Sequence, residues 1–288
     1  MNGIFYIVGV GPGDPNLLTL LAVQVLKRCP VWLVPRAGDG RESTALKIAA
    51  KVVETRNHEI INHTFPMKKI HMDLAPEPEV TRAWQEAAKI VVHHLRTGRD
   101  VAFPTLGDPA VYSTGFYVHD TLRQLYPEIT ARIIPGVSSL GASAAAAGSP
   151  LCQGDDRLMV LPATYENGML RESLEQFDTV VLMKVHRSLE RICDLLEEMD
   201  LLDRAVLVER TSQEGECVIR DLRAAATRPC HYFSTIIVKK DGLVNTRSSK
   251  FSERQPNEFQ GAVRPHRCAC DTDKKDRETS GRAGEGHG

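Results

Sequence analysis

The sequence lacks a long apolar run, and it also lacks an excess of charge of either sign. No apolar segment of the 288 residues approaches the ~20 residues that a membrane-spanning helix needs. The first residues contain no basic stretch ahead of an apolar core, so no secretory signal peptide is expected and a soluble, cytoplasmic protein is predicted. Because 36 lysines and arginines stand against 37 acidic residues, neither nucleic acid nor a membrane surface is an expected partner.

A further absence concerns the glycine-rich turn in "YIVGVGPGDPNLLTL", which follows an apolar, strand-like run. The dinucleotide-binding fingerprint needs glycines at its first, third and sixth places, which here are Gly9, Gly11 and Asp14. Pro12 has no N–H to offer an anion, and Asp14 brings a negative charge to the start of the following helix. The turn therefore hosts a ligand with little or no negative charge, or it only reverses the chain.

Strand-like and helical patterns alternate along the first 136 residues, which predicts a doubly wound parallel sheet. The predicted strands cover 4–10, 31–34, 58–62, 100–103 and 131–134, and the predicted helices cover 17–27, 43–54, 79–96 and 115–125. Hydrophobic residues make up 42% of the chain, enough to fill the cores of two domains.

A second α/β domain is predicted over residues 137–241. Its strands are expected at 158–161, 180–185, 205–208, 216–219 and 232–238, with helices near 168–176 and 188–199. Because the last strands follow one another closely, this sheet is predicted to be mixed. Residues 242–288 are polar, rich in scattered Gly and Pro, and predicted to be disordered. Their "HRCAC" segment places His266, Cys268 and Cys270 together, but this spacing does not match a closed zinc site, so no metal site is expected.

Unusual loops follow several of the predicted strands. They read "FPTLGDPAVYST", "IIPGVSS", "VLMKV" and "VERTSQEGE". In an open α/β sheet, ligands bind beyond the carboxyl ends of the parallel strands, so these loops are candidates for one binding site. Asp14 and Asp108 both lie in Gly-Asp-Pro, where an aspartate can also simply hold a tight turn.

These motifs resemble those of the tetrapyrrole methylase family, whose members methylate uroporphyrinogen-derived macrocycles with S-adenosylmethionine. The resemblance covers residues 3 to about 240 and depends on "VGVGPGDPNLLTL", "LGDPAVYST" and "PGVSS". Finer features resemble the branch that methylates C20 of precorrin-2 or its cobalt form in cobalamin biosynthesis: "HTFPMKK", "GDPAVYSTGFYV", "GDDRLMVLPAT", "VVLMKV" and "YFSTIIVKK". The resemblance implies two α/β domains with the active-site cleft between them, and a homodimer.

The resemblance also implies which residues bind the methyl donor, S-adenosylmethionine. By motif position these are Pro12, Leu106, Gly107, Asp108, Val111, Ser138, Ser139, Met183 and Thr211. The donor carries a sulfonium cation and no phosphate, which suits a first loop that contains Pro12 and an acidic neighbour. On this interpretation the first loop borders the donor and is not a phosphate cradle.

The implied reaction is attack by an electron-rich ring carbon on the donor methyl, followed by loss of a proton from C20. Alignment of the reacting atoms is the main demand on the enzyme. Candidate proton acceptors, direct or through water, are Tyr112 and Asp108, with Tyr117 and His119 as further possibilities that the sequence does not separate. A substrate with eight carboxylates needs local cations, and the candidates at strand ends are Arg36, Lys68, Lys69, Lys184, Arg187 and Arg210.

Three other classes of protein are compatible with parts of the pattern. A methylase of the same fold with another acceptor, such as uroporphyrinogen III, another precorrin or RNA, shares the first loop. A nicotinamide-dependent oxidoreductase is disfavoured by Asp14 at the third-glycine place. A ligand-binding protein without catalysis leaves the number of unusual loops at one edge unexplained.

Overall fold

The computed structural model describes residues 2–37, 42–66, 68, 70 and 74–243. Within this part, the chain forms two compact units; the first ends at Ala142 and the second begins at Ser143. The predicted domain boundary at residue 136 stays a prediction. Lys69 and nearly all of the predicted tail, including His266, Cys268 and Cys270, lie outside the described residues. No helix in the described ranges is both long enough and apolar enough to cross a membrane.

The first unit is built on a five-stranded parallel sheet in the order β3-β2-β4-β1-β5. Its strands are β1 Phe5–Gly9, β2 Val31–Ala37, β3 Glu59–Phe65, β4 Val101–Thr105 and β5 Ala131–Ile134. The helices between and after them are α1 Leu20–Arg28, α2 Thr44–Ala50, α3 Pro78–Arg96, α4 Thr114–Leu125 and α5 Ser139–Ala147, which continues into the second unit. The predicted parallel sheet is confirmed.

The central strands of this sheet are buried on both faces, which explains why β1 and β4 are nearly continuous apolar runs. Alternate side chains of β1 enter two separate cores: Tyr6 and Val8 pack with α1 and α2, while Phe5 and Ile7 pack with α3 and α4. Period-two alternation of strand side chains thus supplies two apolar faces for helices.

The second unit contains a mixed sheet, as predicted, in the order β6-β7-β10-β8-β9. Its strands are β6 Leu158–Pro162, β7 Thr179–Met183, β8 Ala205–Glu209, β9 Cys217–Ile219 and β10 Ser234–Lys239. Strand β10 runs antiparallel to both of its neighbours, β7 and β8, whereas β6 and β7 are parallel. The core on one face joins the sheet to α6 Asn167–Gln176, α7 Leu189–Glu198 and α8 Leu222–Ala226.

Helix α1 begins later than its apolar spacing predicts. Residues 15–17 instead form a short 3-10 turn, which the side chain of Asp14 caps. The hydroxyl of Thr19 then accepts a hydrogen bond from the backbone N–H of Ala22, so that α1 begins at Leu20. This local capping inserts a second turn between the glycine loop and the helix.

Candidate functional site

The loops that follow β1 and β4 are joined by their backbones. Gly11 donates to the carbonyl of Gly107 at 3.2 Å, and Gly107 donates to the carbonyl of Gly11 at 2.8 Å. Both glycines have left-handed backbones, with φ of 76° and 72°. Since β1 and β4 are parallel neighbours, the two loops leave the sheet at the same edge and pair there.

Three glycines bring the loop after β5 into the same contact. A Cβ atom on Gly136 would lie 2.4 Å from the carbonyl oxygen of Gly107, and one on Gly9 would lie 2.7 Å from the backbone nitrogen of Gly136. Such distances exclude any side chain, because the neighbouring atoms belong to backbone and cannot turn away. The strand ends of β1, β4 and β5 therefore meet main chain to main chain.

The carboxylate of Asp108 ties two of these loops together. One oxygen accepts the backbone N–H of Ala110 at 2.8 Å, and the other accepts the backbone N–H of Gly136 at 2.8 Å. Asp14 has a different role, since its carboxylate accepts the backbone and side-chain N–H groups of Asn16 at 2.8 and 2.9 Å and so caps a turn. Of the two Gly-Asp-Pro segments, only the second bridges loops.

The residues assigned to the methyl donor in the first unit all lie in these three loops. Pro12 is buried, and Leu106 and Val111 are half-buried. The hydroxyl of Ser138 accepts the N–H of Gly141 in the first turn of α5, and Ser139 begins that helix. The structure therefore brings Pro12, Leu106, Gly107, Asp108, Val111, Ser138 and Ser139 together at one edge of the first sheet.

Tyr112 stands in the same loop in an unusual backbone conformation. Its φ is 52°, a region that a bulky residue seldom adopts, and its side chain is 46% exposed. The next residue, Ser113, fixes the chain because its hydroxyl contacts that of Thr105 at 3.0 Å and accepts the N–H of Gly115 at 3.0 Å. A tyrosine displayed to solvent on a held backbone is suited to a binding or catalytic role.

The two other candidate proton acceptors occupy helix α4 and are less open. Tyr117 stacks on Trp84 with ring centroids 4.7 Å apart and an 8° angle between the planes. Burial raises the pKa of the Tyr117 hydroxyl, which makes it a poorer acid in this place. His119 is half-buried, with a ring Nδ1 that has no hydrogen-bond partner. The contacts of Tyr117 indicate packing between α3 and α4.

In the second unit, the assigned residues lie beyond the carboxyl ends of β7 and β8. Met183 ends β7 and is half-buried. Thr211 follows β8 and is buried, and its hydroxyl contacts that of Ser143 at 2.7 Å. Because β7 and β8 both run opposite to the strand between them, these two loops share one edge of the second sheet.

Left-handed backbone is concentrated in the loops that the sequence marks as unusual. Among the described residues other than glycine, φ is positive at Tyr112, Lys184, Asp200, Arg210 and Ser212. Four of these five follow β4, β7 or β8, and only Asp200 lies at the end of a helix, α7. Such conformations cost about 1–3 kcal/mol each and cluster at functional sites.

The candidate cations differ in their surroundings. Lys184 is exposed, and partial burial lowers its pKa. Arg210 is exposed, and Arg36 is half-buried near the end of β2. Lys68 pairs with Glu77 at 3.4 Å, so a part of its charge is already compensated.

Sequence reasoning missed the segment that precedes β10. His231, Tyr232 and Phe233 reach the edge where β7 and β8 end, because β10 runs in the opposite direction and begins there. Attention to the carboxyl ends of strands alone overlooks this segment. The available signal was the aromatic run directly ahead of "STIIV", together with the predicted mixed sheet.

The fold and the loop geometry define an α/β protein with closely packed glycine loops at strand ends, and comparison with known proteins specifies its class. The family profile described as Tetrapyrrole (Corrin/Porphyrin) Methylases matches residues 5–226. The chain belongs to this family.

Curated relatives cover most of the chain. It is 33% identical over 241 residues to a protein of Salmonella typhimurium named cobalt-precorrin-2 C(20)-methyltransferase, which covers 83% of this chain and 98% of the relative. It is also 33% identical over 235 residues to a precorrin-2 C(20)-methyltransferase of a Sinorhizobium species, with 80% of this chain and 93% of the relative covered. A Methanocaldococcus jannaschii protein, a probable cobalt-precorrin-2 C(20)-methyltransferase, is 35% identical over 214 residues, which are 74% of this chain and 85% of that protein.

Solved structures agree on the fold. The uroporphyrin III C-methyltransferase of Thermus thermophilus superposes with a TM-score of 0.59 at 25% identity and covers 83% of this chain and 98% of its own. A cobalt precorrin-4 methyltransferase gives a TM-score of 0.61 at 20% identity, with 82% of this chain and 94% of that chain covered. The two-domain α/β fold predicted from the sequence is confirmed.

Proposed function

We propose that this protein transfers a methyl group from S-adenosylmethionine to C20 of precorrin-2 or of cobalt-precorrin-2, in cobalamin biosynthesis. The observation that carries the proposal is the similarity to the Salmonella C(20)-methyltransferase over 98% of that protein's length. The glycine-joined loops of the first sheet agree with it, because they lie at the carboxyl ends of the parallel strands, the edge where ligands bind in open α/β folds.

The donor loops suit a zwitterionic nucleoside better than a pyrophosphate. Gly9, Gly107 and Gly136 have no side chains, so the surface there consists of backbone atoms. Pro12 lacks the backbone N–H that would bind an anion, and Asp108 adds a negative charge. The proposed donor contacts are Pro12, Leu106, Gly107, Asp108, Val111, Ser138, Ser139, Met183 and Thr211. The bound donor supplies an activated methyl group on a sulfonium ion, so the protein's own task is placement.

Asp108 acts in this proposal by positioning. Both of its oxygens already accept backbone hydrogen bonds, which fixes the loops after β4 and β5 relative to each other. Tyr112 remains the proposed group for the proton that leaves C20, directly or through a water molecule, since it is exposed on a held backbone in the same loop.

The carboxylates of the macrocycle are proposed to bind Arg36, Lys68, Lys184 and Arg210. Each exposed ion pair contributes about 1 kcal/mol or less, so several must act together. Lys184 directly follows β7, at the edge of the sheet where β8 also ends, which places its charge beside the other loops of the second unit. Lys68 is expected to contribute least of the four, because a carboxylate of the macrocycle must compete with Glu77 for its ammonium group.

Further properties follow from the family and stay proposals here: a homodimer, a cytoplasmic location and no nucleic-acid partner. The near balance of 36 basic and 37 acidic residues supports the last of these. Size-exclusion chromatography with light scattering measures the oligomer directly.

The deciding experiment incubates the purified protein with methyl-labelled S-adenosylmethionine and either precorrin-2 or cobalt-precorrin-2. We expect a product heavier by one methyl group in at least one mixture, with the label at C20 by NMR. Uroporphyrinogen III serves as the control acceptor. Methylation of uroporphyrinogen III, with neither precorrin-2 form methylated, would contradict the proposal.

A further inference from the structure

Three aromatic rings lie in contact at one edge of the second sheet. We call them the aromatic shelf, defined as His186, Tyr232 and Phe233. The ring centroids of His186 and Tyr232 are 5.0 Å apart, and those of Tyr232 and Phe233 are 5.2 Å apart. Tyr232 is 37% exposed at the end of this row, so part of its ring is available to a ligand.

The reversed direction of β10 brings the members of the shelf together. His186 belongs to the turn that directly follows β7, and Tyr232 and Phe233 directly precede β10. In the antiparallel register Thr235 is opposite Met183, which places the start of β10 beside the end of β7. Segments separated by more than forty residues of sequence thus form one surface.

A buried carboxylate holds the second segment in place. Glu209, only 5% exposed at the end of β8, accepts the guanidinium of Arg228 at 2.7 Å and the backbone N–H of His231 at 2.9 Å. Burial would raise the pKa of Glu209, but these hydrogen bonds overcome it and hold the pKa below its usual range. The backbone N–H of Arg210 also donates to the carbonyl of Phe233 at 2.8 Å. A ligand therefore meets rings that need little further ordering.

Cationic residues adjoin the members of the shelf at the same strand ends. Lys184 and Arg187 flank His186 in the turn after β7, and Arg210 is exposed and bonded by its backbone to Phe233. Burial and the nearby Arg187 lower the pKa of His186, which favours its neutral form. Aromatic rings and cationic residues therefore occur together at this edge of the second sheet.

We infer that the aromatic shelf binds the face of the tetrapyrrole macrocycle, with Tyr232 as the principal stacking residue and Lys184, Arg187 and Arg210 toward the ring's peripheral carboxylates. The inference rests on the proposed function and specifies the residues that recognise its acceptor. A flat conjugated ring with acidic arms is the ligand class that matches aromatic faces bordered by cations. The adenine of the methyl donor is the other aromatic ligand in the reaction, and the experiment below separates the two.

The test measures the affinity of the full-length protein for two ligands. Binding of uroporphyrin III is monitored by the quenching of its fluorescence and the shift of its Soret band. Binding of S-adenosylhomocysteine is measured by calorimetry. Tyr232→Ala is expected to weaken uroporphyrin III binding about tenfold, and Tyr232→Phe to remain within about twofold of the wild type. Binding of S-adenosylhomocysteine should stay within about twofold in both. Leu125→Ala, at an exposed residue in the last turn of α4, is the matched control and should change neither affinity.

Each outcome decides the matter. If Tyr232→Ala does not fold, Tyr232→Leu keeps apolar volume and should show the same loss. Unchanged uroporphyrin III affinity in these variants, or no binding by the wild type, overturns the inference. A tenfold loss for S-adenosylhomocysteine alone assigns the shelf to the donor and also overturns it. Methylation of precorrin-2 by the wild type is measured separately. If the wild type binds uroporphyrin III through Tyr232 but methylates neither form of precorrin-2, the proposed function is wrong and the inferred role of the shelf in binding is retained.

Discussion

Two aspartates in the same tripeptide context illustrate how contacts, and not residue type, decide a role. The carboxylate of Asp14 bonds to Asn16, two residues away, and caps a local turn. Asp108 bonds to Gly136, which is 28 residues away and belongs to another loop. The first contact is available to any short polar residue that caps a turn, whereas the second needs two acceptor oxygens in one place.

Asn at the two positions should therefore have unequal effects. In Asp108→Asn, the backbone N–H of either Gly136 or Ala110 faces the side-chain NH₂ group and loses its acceptor. We therefore expect the free energy of unfolding to fall by about 1–3 kcal/mol and S-adenosylhomocysteine to bind about tenfold more weakly. Asp14→Asn should change stability by less than about 0.5 kcal/mol, because Asn caps as well as Asp. Calorimetry and thermal unfolding measure both, and equal effects at the two positions would refute the bridging role.

The glycine contact gives a second residue-level prediction. Gly136→Ala places a Cβ 2.4 Å from the carbonyl oxygen of Gly107, so the loops must separate. We expect a loss of about 1–3 kcal/mol in stability and a clear loss of S-adenosylhomocysteine affinity. The control is Gly168→Ala, in the first turn of α6, where no atom lies within 4 Å of the new Cβ and helix propensity favours alanine. Gly168→Ala should be neutral or slightly stabilising, and a similar result for Gly136→Ala would contradict the close packing.

At the level of elements, the turns that end β7 and β8 both begin with a residue in a left-handed conformation. Lys184 and Arg210 directly follow their strands with φ of 61° and 54°. A charged residue in this conformation is less stable than glycine, so its presence favours a role for the side chain over a role for the backbone.

Replacing Lys184 by Gly should separate stability from binding. We expect Lys184→Gly to be more stable by about 1 kcal/mol, because glycine adopts the left-handed turn without cost, and to have a KM for the macrocycle raised severalfold. Asp200→Gly is the matched control, since Asp200 has φ of 55° at the end of α7 and no proposed contact with ligand. It should gain similar stability with an unchanged KM. A Lys184→Gly protein with wild-type KM would remove Lys184 from the site.

The sequence predicts elements well where apolar periodicity is strong and poorly where it is not. All ten strands of the described residues overlap predicted ones, because most of them are short, largely apolar runs, although the edge strand β3 is only partly buried. Helix α5 was not predicted, since "SLGASAAAA" consists of small residues and has almost no contrast between faces. Helix α8 is only five residues long, too short to show a period.

Prediction of the candidate site shows the same division. Glycine-rich loops at parallel strand ends were expected to converge, and those after β1, β4 and β5 do. The pairing of Lys68 with Glu77 and the bond from Asp108 to Gly136 depend on side-chain geometry that no spacing encodes. The start of β10 was overlooked because its direction is a tertiary property of the sheet.

At the scale of the whole molecule, the charge balance requires that cations be concentrated where the acceptor binds. Surface arginines elsewhere in the second unit are already neutralised, as in the pairs of Arg171 with Glu198 and of Arg223 with Asp194. A net charge near zero is therefore compatible with binding of a polyanionic ring, because these acidic residues neutralise arginines on the helices. Salt should weaken such binding, since several partly screened pairs contribute together.

The match to relatives predicts that the final part of the chain is dispensable for the reaction. The Salmonella relative is covered almost completely by 241 residues of this chain, and Leu243 is the last buried residue that the structure describes. A chain ending at Leu243 should keep the thermal midpoint and the methylation rate within about twofold of the full-length protein. Ending the chain at Val238 is the contrasting cut, because it removes Lys239, whose ammonium is buried against Asp156 at 2.9 Å, and should destabilise the protein. If the chain that ends at Leu243 does not fold, the prediction is wrong.

One reversed strand at the centre of the second sheet has an evolutionary consequence. The hydrogen bonds that hold segment 228–233 at this edge join Glu209 to Arg228 and His231, and the backbone of Arg210 to that of Phe233, so none of them depends on an aromatic ring of Tyr232 or Phe233. If the aromatic shelf recognises the acceptor as inferred, these rings can be exchanged between paralogues, and acceptor preference can diverge, without loss of the bonds that fix the segment.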